Sequence, residues 1–339
     1  MKKLVFVTVL LALAMIISSS LIISAQDSDG LTSVAVDEGS LDPFAAVWDD
    51  APVFTVALEQ QHEEGTPNMT IDLQSIHNDD TIYILAVWAD NTINNVRRMW
   101  HYDGEVWTRG DAVDGRFDNE DRMGIMFDIN GGREFEFLGC GSVCHSGDGE
   151  DVEYMGYAVE GYNGATVDLW HWKATRTAGA GYADDQSAGM FSDEDPDEPT
   201  GRSSDSRDSG SYSDNKNEAG DGPGFTYPEG ITSGPLLSSD AIAIDDTTTF
   251  KAGDTVPYYV LERPVGSRGD IAAGSFYVQD AAGNGWWYVV LARALDTGNE
   301  DDAVLTLGAE HVFGIAVYDN GGGKKHATHG DPIVLTISE

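Results

Sequence analysis

Both cysteines of the chain fall in Cys140-Gly-Ser-Val-Cys144, and His145 follows the second directly. Thiols and an imidazole this close can do three kinds of chemistry. Covalent haem attachment uses C-x-x-C-H, and one residue too many separates the sulfurs here. Zinc takes four such donors; Cys140, Cys144 and His145 supply three, and no fourth stands out in the sequence. In an oxidising compartment two neighbouring thiols close a disulfide by default. Oxygen chemistry has its own candidates in the acidic runs DEDPDEP, which starts at Asp193, and DTGNEDD (296–302). Calcium binds such oxygens, but neither run has EF-hand spacing, and solvated acidic loops are the expected state of both. The sequence contains no G-x-S-x-G, H-E-x-x-H or phosphate loop, so nothing in it argues for hydrolysis.

The elements that must position these groups read as strands. Apolar and polar residues alternate at period two over 52–60, 68–78, 81–90, 121–129, 165–174, 255–262, 285–295, 311–319 and 332–338, the pattern of half-buried β-structure. Asp103-Gly104, Asn130-Gly131 and Asn320-Gly321 supply turn signals beside them. No stretch has convincing helical periodicity, which predicts an all-β antiparallel sandwich. Residues 177–239 are polar and rich in Gly, Ser and Asp. They bury too little apolar surface to fold as a unit and are expected to form a long loop excursion from a single domain over 41–339.

The N-terminus places Lys2 and Lys3 before an apolar run ending in Ser24-Ala25-Gln26. That is the layout of a secretory signal peptide over 1–25, with an uncleaved anchor as the alternative and a flexible stretch over 26–40 behind it. The expected location is therefore exported, periplasmic or extracytoplasmic. A formal net charge of −39 excludes nucleic acid and anionic membrane surfaces as natural partners.

Three landmarks in order carry a resemblance: LDPFAAVWDDAPVFTVALEQQ with IYILAVWADNT, then MGYAVEGYNGATVDLWHWKATRTAGAGYADDQ, then GWWYVVLARALDTGNEDDAVLTLGAEHVFGIAVYDNGGGKKHA. Together, over roughly residues 40 to 338, they resemble the haem-binding domain of the ethylbenzene dehydrogenase gamma subunit and its relatives, including gamma subunits of dimethylsulfide dehydrogenase-like molybdenum enzymes. The resemblance implies a β-sandwich that holds one b-type haem non-covalently and passes electrons outside the cytoplasm. It implies no catalysis by the chain itself, and a redox partner that is either a set of molybdoenzyme subunits or another cytochrome.

In that family a methionine in a Met-Gly pair and a lysine near the C-terminus hold the iron. The matching positions here are Met155-Gly156, ahead of Val167-Asp168-Leu169-Trp170-His171-Trp172, and Lys324-Lys325-His326 after Ala316-Val317-Tyr318-Asp319. Met155 and His326 are the expected iron ligands, with Lys325 as the alternative to His326. Imidazole is neutral near neutral pH, whereas a lysine amine must first lose a proton from a pKa near about 10.4. Tyr154, Tyr157, Trp170 and Trp172 are candidate walls, and Arg176 or Lys173 would meet a propionate. At strand period His171 points away from the two tryptophans, towards the surface or the long loop. Relatives with a Cys-containing insertion here make a Cys140–Cys144 disulfide the simpler account. Covalent haem, with His145 as an axial ligand, is the lesser alternative. The rival from another class is a carbohydrate- or surface-binding sandwich without haem.

Overall fold

A computed structural model describes residues 30–110, 119–129, 132–144, 166–189, 201–323 and 325–339. Almost every predicted strand is present: Phe54–Gln60, Met69–His77, Thr81–Ala89, Arg122–Asp128, Val167–Lys173, Gly285–Ala294, Glu310–Tyr318 and Ile333–Ile337. Antiparallel pairing runs from Ala272–Gln279 through Gly285–Ala294, Thr81–Ala89, Met69–His77 and Phe54–Gln60. The short Ala327–Thr328 strand then joins this layer to Glu310–Tyr318, Arg122–Asp128 and Val167–Lys173. The result is an all-β sandwich folded from one continuous sheet.

Both open sides are tied. On one, Leu31–Ala35 lies parallel to Ile333–Ile337 and to Met69–His77. On the other, Tyr182 bridges Ala272, and the Ala183 N–H donates to the Ile271 carbonyl at 3.0 Å. The expectation of a flexible 26–40 stretch is thus corrected from residue 30 onward. Leu31 is wholly buried, and pairing on both flanks satisfies this strand's backbone.

Alternation assigns the two faces of each strand. Met123, Ile125, Phe127, Trp170, Trp172, Phe313, Ile315 and Val317 point inward, against Ile71, Leu73, Ile82, Ile84, Trp88, Trp287 and Leu291 of the facing layer. The Trp172 ring meets Trp88 at 6.0 Å and Trp287 at 5.1 Å between centroids, each pair contributing about 0.5–1.5 kcal/mol beyond area burial.

The excursion over 177–239 is also corrected. Asp184–Ala188 and Arg202–Ser204 extend the main sheet beyond Val167–Lys173. Buried polar residues hold this region together with the apolar cluster of Trp100, Tyr258, Tyr259 and Leu261, against which Tyr212 and Leu237 pack. Asn215 is fully buried, and its amide donates to the Phe225 and Pro257 carbonyls while accepting from the N–H groups of Gly224 and Phe225. Asp184 joins Lys173 and Arg268 in a buried ion-paired group. The predicted 255–262 strand splits into Thr255–Pro257 and Tyr259–Val260, which pair outside the main sheet.

Candidate functional site

The outer face of the Arg122–Asp128, Val167–Lys173 and Glu310–Tyr318 strands carries three cross-strand rows. Register aligns Gly314, Met126 and Leu169 in the first, Ala316, Gly124 and His171 in the second, and Tyr318, Arg122 and Lys173 in the third. Small residues at Gly314, Ala316 and Gly124 leave a shallow floor. Met126, Leu169, His171, Tyr318, Cys140, Arg202 and His326 stand around it. The cavity over this floor has a volume of about 40 Å³. Gly314 is required where it stands, because a Cβ there would lie 2.8 Å from the Cys140 Cβ.

Two imidazoles border this pocket, and both are more than nine-tenths buried: His171 is 6% exposed and His326 is 5% exposed. The Gln186 amide donates to Ser204 Oγ, so its Oε1 accepts from His171 Nδ1–H at 2.9 Å. The His171 lone pair is thereby on Nε2, which is buried and meets no hydrogen-bond partner. Burial, reinforced by Lys173, Arg122 and Arg202, pushes the His171 pKa well below the usual histidine range. This side chain is a neutral nitrogen donor. As expected it points away from Trp170 and Trp172, and it lies beneath residues 186 and 204 of the excursion rather than at the surface. His326 Nδ1–H donates to the Gly323 carbonyl at 3.3 Å, which places its lone pair on Nε2 as well. The Tyr318 ring lies 6.5 Å from His171 and 5.1 Å from His326.

Lys325 turns elsewhere, pairing with Glu64 at 2.9 Å on the surface. Trp170 and Trp172 belong to the inner core and do not line this pocket. Strand alternation sends them to the opposite face from His171. Arg176 is also away from it. Its Nε donates to Glu120 Oε1 at 2.5 Å, and its guanidinium lies 5.0 Å from the Tyr212 ring centroid. Lys173 is committed to Asp184 and Tyr212. The cation at the pocket is Arg202, from a segment whose polar composition gave no reason to single it out. Met155, Tyr154, Tyr157 and His145 lie outside the described residues. Buried residues on both sides of that span, Cys140 and Val143 before it and Val167 and Leu169 after it, belong to one cluster with Met126 beside the pocket.

The cysteine expectation is corrected. Cys140 is a free, buried thiol, 3.1 Å from Thr328 Oγ1, and burial raises its pKa. Residues 141–144 form a helical turn. The Cys144 side chain lies outside the described residues. Alkylation in denaturant without reductant, followed by peptide mapping, should label Cys140, while the folded protein should resist the reagent. An unlabelled Cys140 in denaturant would restore the cross-link.

A second cavity of about 680 Å³ opens between Arg97, Tyr227, Tyr259, Phe276, Tyr277 and Trp287. Its walls include one thioether, Met99, and no imidazole. Beside it, Trp287 Nε1 donates to Asp121 at 2.9 Å. Burial and then the neighbouring Asp90 raise the Asp121 pKa to about 7, and burial raises that of Asp90 to about 6. Asp319 completes this group, and Asp168, Asp185 and Asp302 form another.

Against known proteins, the sequence matches the ethylbenzene dehydrogenase family over residues 45–329. The chain belongs to this family. No curated protein matches it. Among solved structures, a Bacteroides uniformis protein proposed to bind carbohydrate is similar at 8% identity with a TM-score of 0.37, covering 91% of this chain and 98% of its own.

Proposed function

We propose that the chain is an exported, non-catalytic electron-transfer subunit that binds one haem b against this outer face, and that it serves a redox partner of the molybdoenzyme or cytochrome kind. The observation that carries the reading is the pair of buried imidazoles beside a floor of Gly124, Gly314 and Ala316. His326 is the proposed nitrogen ligand to iron, because it borders the floor whereas Lys325 is held at the surface by Glu64. Met155 is the proposed sulfur ligand. Haem bound there supplies one-electron chemistry at iron, with a potential that its axial ligands and surroundings tune. The chain's part is to hold neutral donors in place and exclude water with Met126, Leu169 and Tyr318. Arg202 brings positive charge to the propionate side, the role first expected of Arg176 or Lys173.

Expression in an exporting host and a pyridine haemochrome spectrum test the reading. A b-type spectrum at one haem per chain is expected. A c-type spectrum would mean covalent attachment at Cys140 or Cys144. A colourless, folded protein would overturn the haem reading in favour of a binding module, for which the aromatic cavity beside Trp287 is the candidate site.

A further inference from the structure

The acidic run 296–302 does not stay in solvent. Asp302 is 4% exposed and turns under the loop to meet Asp168 and Asp185, which are 0% and 1% exposed, on strands of the other layer. Carboxylate oxygens of the three lie within 4.8 Å of one another. One cation faces them: Arg293 donates to Asp168 Oδ2 at 2.5 Å and lies 3.7 Å from Asp302 Oδ1. The nearby Arg268 is committed to Asp184, at 2.7 Å. Fully ionised, the three carboxylates would exceed this cation by two charges in a dry interior, where unpaired charge is strongly disfavoured, and burial with the neighbouring Asp168 and Asp302 pushes the Asp185 pKa up accordingly.

A second observation concerns the oxygens themselves. Asp168 Oδ2 accepts from Arg293, Trp170 and the Ala303 N–H, and Asp302 Oδ2 accepts from Thr297 and Asn299. Among the described residues, Asp168 Oδ1 and Asp185 Oδ2 are buried and meet no donor. Buried carboxylate oxygens that the described donors do not use thus belong to this triad.

We propose that Asp168, Asp185 and Asp302 bind one calcium ion, which neutralises the excess charge left by Arg293 and clamps the two layers of the sandwich together. Calcium suits the site because every donor is oxygen and carboxylates can add bidentate contacts towards its coordination of about 6–8. The absence of nitrogen and sulfur donors from the triad disfavours zinc and copper. This site is independent of the haem reading and lies on the inner face, away from His326.

The test uses the full mature protein, treated with EDTA and then titrated with calcium chloride by calorimetry and by thermal unfolding. One saturable calcium per chain and a rise in Tm are expected. Asp185→Asn should weaken binding at least about tenfold with the circular dichroism spectrum and any haem spectrum unchanged. Should that variant fail to fold, Asp302→Asn and the wild-type chelation experiment stand in its place. A Tm that is the same before and after EDTA would overturn the proposal, and so would calcium binding that Asp185→Asn leaves untouched, since that would be the acidic surface at work. A haem spectrum that persists after calcium is stripped keeps the two readings distinguishable.

Discussion

His326→Ala is expected to convert a low-spin haem spectrum to a high-spin one and to lower haem affinity by more than the roughly 10–100-fold that losing an outer-shell partner costs a metal site. The physical reason is ligand loss without an adjacent substitute. Lys325, next in sequence, is held 2.9 Å from Glu64, and an ammonium must shed its proton before it can bind metal. Lys325→Ala should therefore leave the spectrum as it is. His171→Ala should weaken the pocket while keeping the low-spin state, because in this reading His171 shapes the site and Met155 closes the iron's second position. Met155→Ala decides that point through loss of the ferric thioether–iron charge-transfer band. Low-spin haem that survives Met155→Ala but not His171→Ala would make the two imidazoles the ligand pair. Spectra indifferent to His326→Ala would remove the outer-face site altogether.

Glu120→Gln should be the most damaging conservative change away from the pocket, costing on the order of 3–5 kcal/mol as expected when one partner of a buried ion pair is removed. The carboxylate is fully buried and accepts from the Thr175 N–H at 2.8 Å, the Arg176 N–H at 3.1 Å and Arg176 Nε at 2.5 Å. Arg97 and Arg122 each lie 3.7 Å away. Burial opposes its ionisation, but Arg176, Arg122 and Arg97 together outweigh burial and hold its pKa below the usual range. A depressed carboxylate stabilises the fold above its unfolded pKa of about 4.3, and that contribution fades as pH falls through the lower folded value. Asp121 and Asp90 act in the opposite sense. With folded pKa values raised to about 7 and about 6, they bind protons in the native state first, so stability grows as pH drops through that window. Urea titrations across pH should show greatest stability on the mildly acidic side, with the Gln variant losing less of its remaining stability in strong acid.

Sheet layers were the most legible part of the chain. Alternation in VDLWHWK assigned Trp170 and Trp172 to one face and His171 to the other, and the structure keeps that division. The same alternation should have removed the two tryptophans from any pocket built around His171, since one strand cannot send both sets to one side. Polarity misled in two places. Asp184–Ala188 reads as loop because its side chains are charged or small, yet it is fully buried with Asp184 paired to Lys173 and Arg268. Composition registers the charges but not their partners, which lie far along the chain. Asp302 escaped for the same reason, being one acidic residue among many until two strands bring Asp168 and Asp185 to it. For Cys140 the nearness of Cys144 in sequence is the whole local signal, whereas the structure sets its thiol against Thr328 Oγ1, a contact from the far end of the chain that no local pattern reveals.

The parallel contact of Leu31–Ser33 with Leu335–Ile337 sets a schedule for the molecule. These two strands sit side by side although roughly 300 residues separate them along the chain. Pairing of such large sequence separation carries a high loop-closure cost and slows folding. It also makes loss of Ile333–Ile337 costly beyond that strand itself, because Leu31–Ala35 would keep only its pairing with Met69–His77.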